Sequence, residues 1–284
     1  MTFLHRHRWA TPYLLLAPGL AWLAVFFVLP MWYLGKTSLE RGLFPLFEFQ
    51  WAWSNFGDSI SLYEKQFLRS FEYAGVATAI ALVVSYPLAY WIAFRAGRWK
   101  NLFLVLVIAP FFVTYLIRTL AWETILADGS IVTRTLDGLN MLPSHRLLAT
   151  SGAVIAGITY NYLPFMVLPL YVSLEQIDAR LLEAAQDLYA SKWRSFLRVT
   201  LPLSVPGVVA GTMLTFIPAA GDFINAQLLG TPRQYMIGNV VQSRFFNVLD
   251  YPTASALSLM LMGAIVVAIV VYVRVIGTER AVGV

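Results

Sequence analysis

Six runs of about 20 mostly apolar residues constrain this chain more than any other feature. They cover roughly Pro12–Leu34, Phe71–Phe94, Leu102–Ala121, Leu147–Val172, Leu203–Gly221 and Thr253–Val275. A helix rising about 1.5 Å per residue needs about 20 such residues to cross about 30 Å of hydrocarbon. A transmembrane barrel would alternate polar and apolar residues over segments of about ten, whereas these runs are continuous. Composition agrees: 59% of the 284 residues are hydrophobic and 12% are charged, about half the charge of a soluble domain. Too little charge remains to coat a globule in water, which excludes a disordered chain and a conventional cytosolic enzyme. The chain reads as an all-α, polytopic membrane protein with six spans.

Basic residues set its orientation. With the N-terminus inside, Arg6, Arg8, Arg95, Arg98, Lys100, Arg180, Lys192, Arg194, Arg198, Arg274 and Arg280 are cytoplasmic, eleven of the 20 basic residues. They lie on about 57 inner-loop and tail residues, while the other nine are spread over about 92 outer-loop residues, as the positive-inside rule requires. Both termini are then cytoplasmic. The first run follows His5-Arg6-His7-Arg8; its full length, with no small-residue cleavage site after it, reads as an uncleaved anchor. The first outer loop carries Phe44, Phe47, Phe49, Trp51, Trp53 and Phe56, an aromatic density expected of an interfacial belt. The net charge of +5 needs no nucleic acid, since basic cytoplasmic loops account for it. With no cysteine, thiolate chemistry and Cys-ligated metal sites are excluded.

One inner loop differs from its surroundings. Ser173–Leu201 holds eight charged residues, Glu175, Asp178, Arg180, Glu183, Asp187, Lys192, Arg194 and Arg198. Asp178 is a suitable N-cap, and the Leu, Glu, Ala and Gln that follow are strong helix formers. Leu181, Ala185 and Leu188 fall on one apolar face; Glu183 and Asp187, four apart, share an acidic one. A second helical piece is expected from Ser191, with Trp193, Phe196 and Leu197 toward the bilayer and Pro202 beginning the return into the membrane. Such a helix can lie on the inner leaflet or dock into a partner. The acidic face counts against an anionic leaflet and suits a basic groove of another protein.

Glu183-Ala184-Ala185, Leu188, Ala190-Ser191, Leu201-Pro202 and Pro206-Gly207 together resemble the cytoplasmic EAA signature of ABC importer membrane subunits. The resemblance implies a type I importer transmembrane domain whose coupling helix, with Glu183, Ala184, Ala185, Asp187, Leu188 and Tyr189, seats on a separate ATPase. Glu183 would face a basic residue there. Tyr189 stands where the family generally has Gly, at the left-handed turn that ends the helix. A non-Gly residue there carries a cost of roughly 1–2 kcal/mol, unless the turn is built differently.

Beyond this loop, Asn161-Tyr162, Pro164, Met166, Pro169 and Tyr171, with Pro110-Phe111-Phe112, Leu116-Ile117-Arg118 and Ile237-Gly238-Asn239, resemble spermidine/putrescine permeases of the first-subunit type. That likeness implies a second homologous permease, two ATPase subunits that hold the ATP and Mg, a periplasmic or lipid-anchored polyamine-binding protein, and the bacterial cytoplasmic membrane. Related branches carry ferric ion, opines or sulfate. In domain terms it implies an N-terminal tail, first helix and first periplasmic loop over 1–68, an importer core over 69–276 and a cytoplasmic tail over 277–284.

A polyamine path calls for carboxylates and aromatic faces within the spans. Asp222, Glu123, Tyr160, Asn161, Tyr115 and Trp122 are the candidates. Each has a plainer reading: Asp222 paired with Arg118, Asn161 as a helix–helix hydrogen bond, and the aromatics as interfacial anchors. Pro87, Pro110, Pro164, Pro169, Pro206 and Pro218 each remove a backbone bond in or near a span, which favours bent helices around a path. Gly207 and Gly211 form a small-residue pair suited to close helix packing. Gly35-Lys36-Thr37 has Pro30 in place of the first P-loop glycine and follows a span, so no ATPase site is expected on this chain. His5, His7 and His145 form no metal-ligand pattern, and no resident cofactor is expected. The rival functions are a secondary transporter working without an ATPase and a membrane-embedded enzyme; the spans offer few ion ligands and no catalytic base.

Overall fold

The structure, a computed structural model, describes residues 10–139 and 146–276. His5, Arg6, His7, Arg8, His145 and Arg280 lie outside the described residues. In chain order the helices are α1 (Leu15–Ser38), α2 (Ser54–Phe94), α3 (Gly97–Phe112) and α4 (Tyr115–Leu126), then α5 (Ile131–Gly138). There follow α6 (Ser151–Glu175), α7 (Ala179–Asp187), α8 (Lys192–Ala220), α9 (Ile224–Leu229), α10 (Ile237–Ser243) and α11 (Tyr251–Val275). Among the described residues α1, α2, α6, α8 and α11 are each long and apolar enough to cross a membrane. The α3–α4 pair passes the same test together but bends by 94°. Counted as one crossing, it completes the six expected.

The third expected span is therefore not one continuous helix. Ala109–Phe112 tightens into a 3-10 turn around Pro110, whose ring removes a donor from the helix ladder. Val113 (φ −92°, ψ 137°) and Thr114 (φ −59°, ψ 146°) then take extended backbone before α4 begins. The other five prolines do not act this way. Pro87, Pro164, Pro169, Pro206 and Pro218 all lie inside helices that continue through them.

The chain divides into two compact units, one of residues 10–62 with 241–260 and the other of the described parts of 63–240 with 261–276. In the first, β1 (Glu40–Leu43) and β2 (Leu46–Phe49) pair antiparallel, a hairpin within the stretch read from sequence as an outer loop. Phe44 and Phe47 lie against Tyr251, with ring centroids 6.1 and 5.6 Å apart. The Asn55 amide donates to the carbonyls of Ser38 and Glu40, 2.9 Å each. Trp51 and Trp53 remain exposed, and Gly35–Thr37 sits in the last turns of α1.

The second unit is built on α6 packed along α8. Thr150 caps α6, its Oγ1 accepting the Ala153 N–H at 3.1 Å. The two helices approach closely at Gly207 and Gly211. A side chain at Gly211 would come within 2.8 Å of Met166 Sδ, and one at Gly207 within 2.8 Å of the Pro169 carbonyl. This is the small-residue contact that lets backbones of membrane helices meet. Buried Ile158, Met166, Leu170 and Leu174 carry the core along α6.

Candidate functional site

Two places in the second unit gather polar chemistry. The first forms where α4, α6 and the segment after α8 meet. α8 ends at Ala220, and the chain turns through Gly221 into Asp222 and the short α9. Asp222 is only 5% exposed. Its Oδ1 accepts the backbone N–H of Asn225 at 2.9 Å. Its Oδ2 accepts from the Tyr115 hydroxyl, from the Tyr162 hydroxyl at 3.2 Å and from the Asn225 amide at 2.9 Å. The Asn225 amide also reaches the Tyr115 hydroxyl. Asn161 extends the network, its amide donating to Thr119 Oγ1 and Asn225 Oδ1, 3.1 Å each. Asn225 fits there because the facing residue of α6 is Gly157; a Cβ at that position would stand 2.6 Å from Asn225 Oδ1.

Buried polar groups are tolerated when hydrogen-bonded, and a buried carboxyl is further constrained. The Asp222 carboxyl sits among donors from Tyr115, Asn225 and Tyr162. A cation brought next to it would stabilise the ionised form. Among the described residues no ion pair joins Asp222 to Arg118, contrary to the plainer reading from sequence. The Arg118 guanidinium instead lies over the Phe111 ring, 4.6 Å from its centroid, and 5.7 Å from that of Tyr115.

Of the six path candidates, the structure brings Asp222, Tyr115 and Asn161 into one network. Tyr160 and Trp122 pack edge to face apart from it, with centroids 5.3 Å apart. Glu123 is half-buried on α4 and makes no hydrogen bond or ion pair among the described residues. Tyr162, Asn225 and Thr119 belong to the network and were not singled out from sequence. Tyr162 adjoins Asn161 and was within reach. Asn225 was not, because it lies in what reads as an outer loop yet is wholly buried.

The second place is the cytoplasmic helix–turn. Asp178 Oδ1 accepts the Arg180 N–H at 2.9 Å at the start of α7, as the N-cap reading expects. α7 ends at Asp187, and two residues on Tyr189 takes φ +58°. The Ala190 N–H reaches back to the Ala185 carbonyl at 3.0 Å, and that of Leu188 to Ala184 at 3.2 Å. This is the helix stop that usually employs Gly, so Tyr189 adopts the left-handed turn and carries its cost. Its side chain is 96% exposed and that of Leu188 81%. Glu183, Ala184 and Asp187 are exposed and Ala185 half-buried.

Ser191 then caps α8, its Oγ accepting the Arg194 N–H at 3.3 Å. Pro202 does not begin a separate element: α8 runs unbroken from Lys192, passing through a wide turn at Phe196–Thr200 in which the Leu201 N–H bonds to the Phe196 carbonyl. That wide turn loosens the helix just ahead of the proline ring. Phe196 turns inward against Tyr86 and Tyr90, with centroids 5.8 and 5.9 Å apart, while Trp193 and Leu197 are exposed.

A family model described as the binding-protein-dependent transport system inner membrane component matches residues 8–276. The chain belongs to this family. It is 36% identical over 256 residues to the spermidine/putrescine transport system permease protein PotB of Salmonella typhimurium (strain SL1344), covering 89% of each chain. It is equally similar to PotB of Escherichia coli (strain K12), at 36% identity over 89% of this chain and 93% of that one. The fold is shared, at a TM-score of 0.71 and 17% identity, with a chain of the bacterial alginate ABC transporter crystallised with an alginate pentasaccharide-bound periplasmic protein. That alignment covers 98% of this permease and 99% of the alginate chain. The helical inner-membrane permease expected from sequence is the architecture found, with the β1–β2 hairpin added to it.

Proposed function

We propose that this permease moves polyamines of the spermidine/putrescine class inward across the cytoplasmic membrane. It works as one of two homologous membrane subunits, receiving its solute from a periplasmic or lipid-anchored binding protein. Two copies of a separate ATPase drive it, each membrane subunit docking through a segment such as Ala179–Ala190. The observation that carries the substrate class is the buried Asp222 carboxyl, which meets phenol and amide donors but no cationic side chain among the described residues. A carboxylate that accepts from the hydroxyls of Tyr115 and Tyr162 and has no cationic partner of its own is suited to receive a transported ammonium group. The similarity to permeases named for spermidine and putrescine supports the same class.

In this reading Asp222, Tyr115 and Asn161 act at the ammonium site, Tyr160 and Trp122 offer ring faces along the path, and Glu123 a further carboxylate. Glu183 and Asp187 meet basic residues of the ATPase, with Leu188 and Tyr189 as apolar contacts beside them and Ala184 and Ala185 allowing close approach. ATPase movement transmitted through α7 would tilt α6 and α8, which flank it.

The test is uptake by proteoliposomes holding the complete transporter, with labelled putrescine and spermidine compared with sulfate, ferric ion and an opine. Polyamine uptake requiring ATP and the binding protein is the expected result. Uptake of another solute alone would overturn the substrate class, and uptake by the isolated chain without ATP would make it a secondary transporter.

A further inference from the structure

α8 is loosened between Phe196 and Pro206. The Leu201 N–H reaches back five residues to the Phe196 carbonyl. Pro202 and Pro206 bring no N–H, so the ladder lacks two further bonds in the same stretch. Wide turns and prolines are where helices bend. The chain is held firmly on either side. Beyond the stretch α8 lies so close to α6 that a Cβ at Gly207 would stand 2.5 Å from Ser173 Cβ. Before it, Lys192–Ser195 starts from the Ser191 cap and adjoins α7, the helix offered to the ATPase. A loosened stretch between a fixed helix and a segment that a partner moves has the makings of a hinge.

One side chain of α2 engages both ends of that stretch. The Tyr86 ring meets Phe196 edge to face, with centroids 5.8 Å apart, and its hydroxyl lies 2.8 Å from Ser204 Oγ. The wholly buried Ser204 hydroxyl gives its own proton to the Leu201 carbonyl at 3.0 Å, which makes Tyr86 the donor of the pair. Tyr90, one turn further along α2, presents a second ring to Phe196 at 5.9 Å and packs on Phe94 at 4.9 Å. Phe196 also stacks on Trp193 at 5.5 Å. A row of rings therefore runs from the docking segment to the cytoplasmic end of α2. Close-packed side chains compress little and pass displacement on.

We propose that Phe196 and Tyr86 couple the ATPase to α2. Displacement of the docked α7 turns Lys192–Ser195 about the Phe196–Pro206 stretch. Phe196 carries that movement onto the Tyr86 and Tyr90 rings, and the Tyr86–Ser204 bond limits the swing. Both are positioning residues, outside the Asp222 network, so their loss separates ATP hydrolysis from solute movement. The proposal rests on Ala179–Ala190 being the docking segment and does not depend on which solute is carried.

The test uses the complete transporter in proteoliposomes with its binding protein. The solute is the one wild type imports, labelled spermidine in the first instance. ATPase copurification, ATP hydrolysis and solute moved per ATP are measured together. Phe196→Ala should keep docking and hydrolysis while uptake per ATP falls by about tenfold, the scale of losing two ring pairs. Phe196→Tyr, which keeps the ring, should restore most of it. Tyr86→Phe removes only the hydroxyl and should lower the ratio by about fivefold, as for one neutral hydrogen bond. It keeps the test decisive if Phe196→Ala fails to assemble. Ser204→Ala should match it, and the double variant should be no worse than either, since both delete the same bond. An unchanged ratio in Phe196→Ala and Tyr86→Phe would overturn the proposal, including where uptake and hydrolysis fall in step. So would additive losses from Tyr86→Phe and Ser204→Ala. A wrong docking segment shows differently, as full ATPase copurification with Glu183→Arg.

Discussion

The network around Asp222 and the helix–turn at Ala179–Ala190 lie in one compact unit but are assembled in opposite ways. The network draws Tyr115 and Thr119 from α4, Asn161 and Tyr162 from α6, and Asp222 and Asn225 from the chain after α8, with partners up to 110 residues apart in sequence. It is buried and almost fully hydrogen-bonded; Asn161 Oδ1 is its buried polar atom without a partner. The helix–turn is completed within 13 residues by its own caps, Asp178 at one end and the Ala190–Ala185 bond at the other. Its acidic and apolar side chains are left largely in the open. An inward-facing network of this kind suits a solute that must shed water. A self-capped exposed helix suits a partner that must engage and move it.

Charge reversal at the exposed helix should produce the largest effect. Glu183→Arg places a cation where a basic groove is expected, and like charges across an interface cost several kcal/mol. ATPase copurification and ATP-dependent uptake should both fall by about a hundredfold, with the permease still in the membrane. Full copurification of the ATPase with Glu183→Arg would remove Glu183 from the interface.

Asp222→Asn keeps the shape of the buried network and removes its charge. Polyamine uptake should drop by about tenfold, as for loss of a charge-assisted contact, while the basal ATPase rate of the assembled transporter changes little. If uptake and basal hydrolysis decline together, Asp222 supports the fold and not the path. Tyr115→Phe offers a finer reading at the same place, since it keeps the ring face and deletes one donor to the carboxyl.

The contrast between the regions also explains what could be read from the chain alone. The helix–turn was legible down to its N-cap, because Asp178 lies within a few residues of its partner, while the left-handed residue came into view only through the family resemblance, which left a differently built turn open at Tyr189. Asp222 and Asn161 stood out because polar residues are rare in apolar runs. Asn225 and Thr119 did not, since a small polar residue beside a span says nothing of which distant residue it will meet. The bend at Val113-Thr114 was hidden for a related reason. Pro110 is one of six prolines in or near spans, and local sequence does not tell the one that breaks its helix from the five that do not.

A glycine tests how tightly the buried region is built. In Gly157→Ala the new methyl would stand 2.6 Å from Asn225 Oδ1 and also meet Leu229 Cδ1. Asn225 is tied to Asp222, Asn161 and Tyr115 and cannot move without disturbing all three. Overpacking of this sort costs about 1–3 kcal/mol, to be seen as a lower unfolding midpoint of the detergent-solubilised transporter with uptake reduced in parallel. An unchanged midpoint would mean that the network is plastic, and that its geometry does not define the ammonium site.

The smallest expected effect separates stability from recognition at the exposed helix. Tyr189 holds φ +58° with its ring in the open, so the folded unit gains no burial from the side chain while bearing the left-handed backbone. Tyr189→Gly should relieve about 1 kcal/mol of that cost, partly offset by the greater freedom of Gly in the unfolded chain. Amide exchange across Leu188–Ala190 should slow slightly, and ATPase docking should survive. If docking is instead lost while exchange slows, the ring is an indispensable contact and not one among several, and the strained turn is retained because it projects that ring toward the partner. Phenylalanine at this position distinguishes the two sources of binding: it keeps the ring and the strain, and lacks only the hydroxyl.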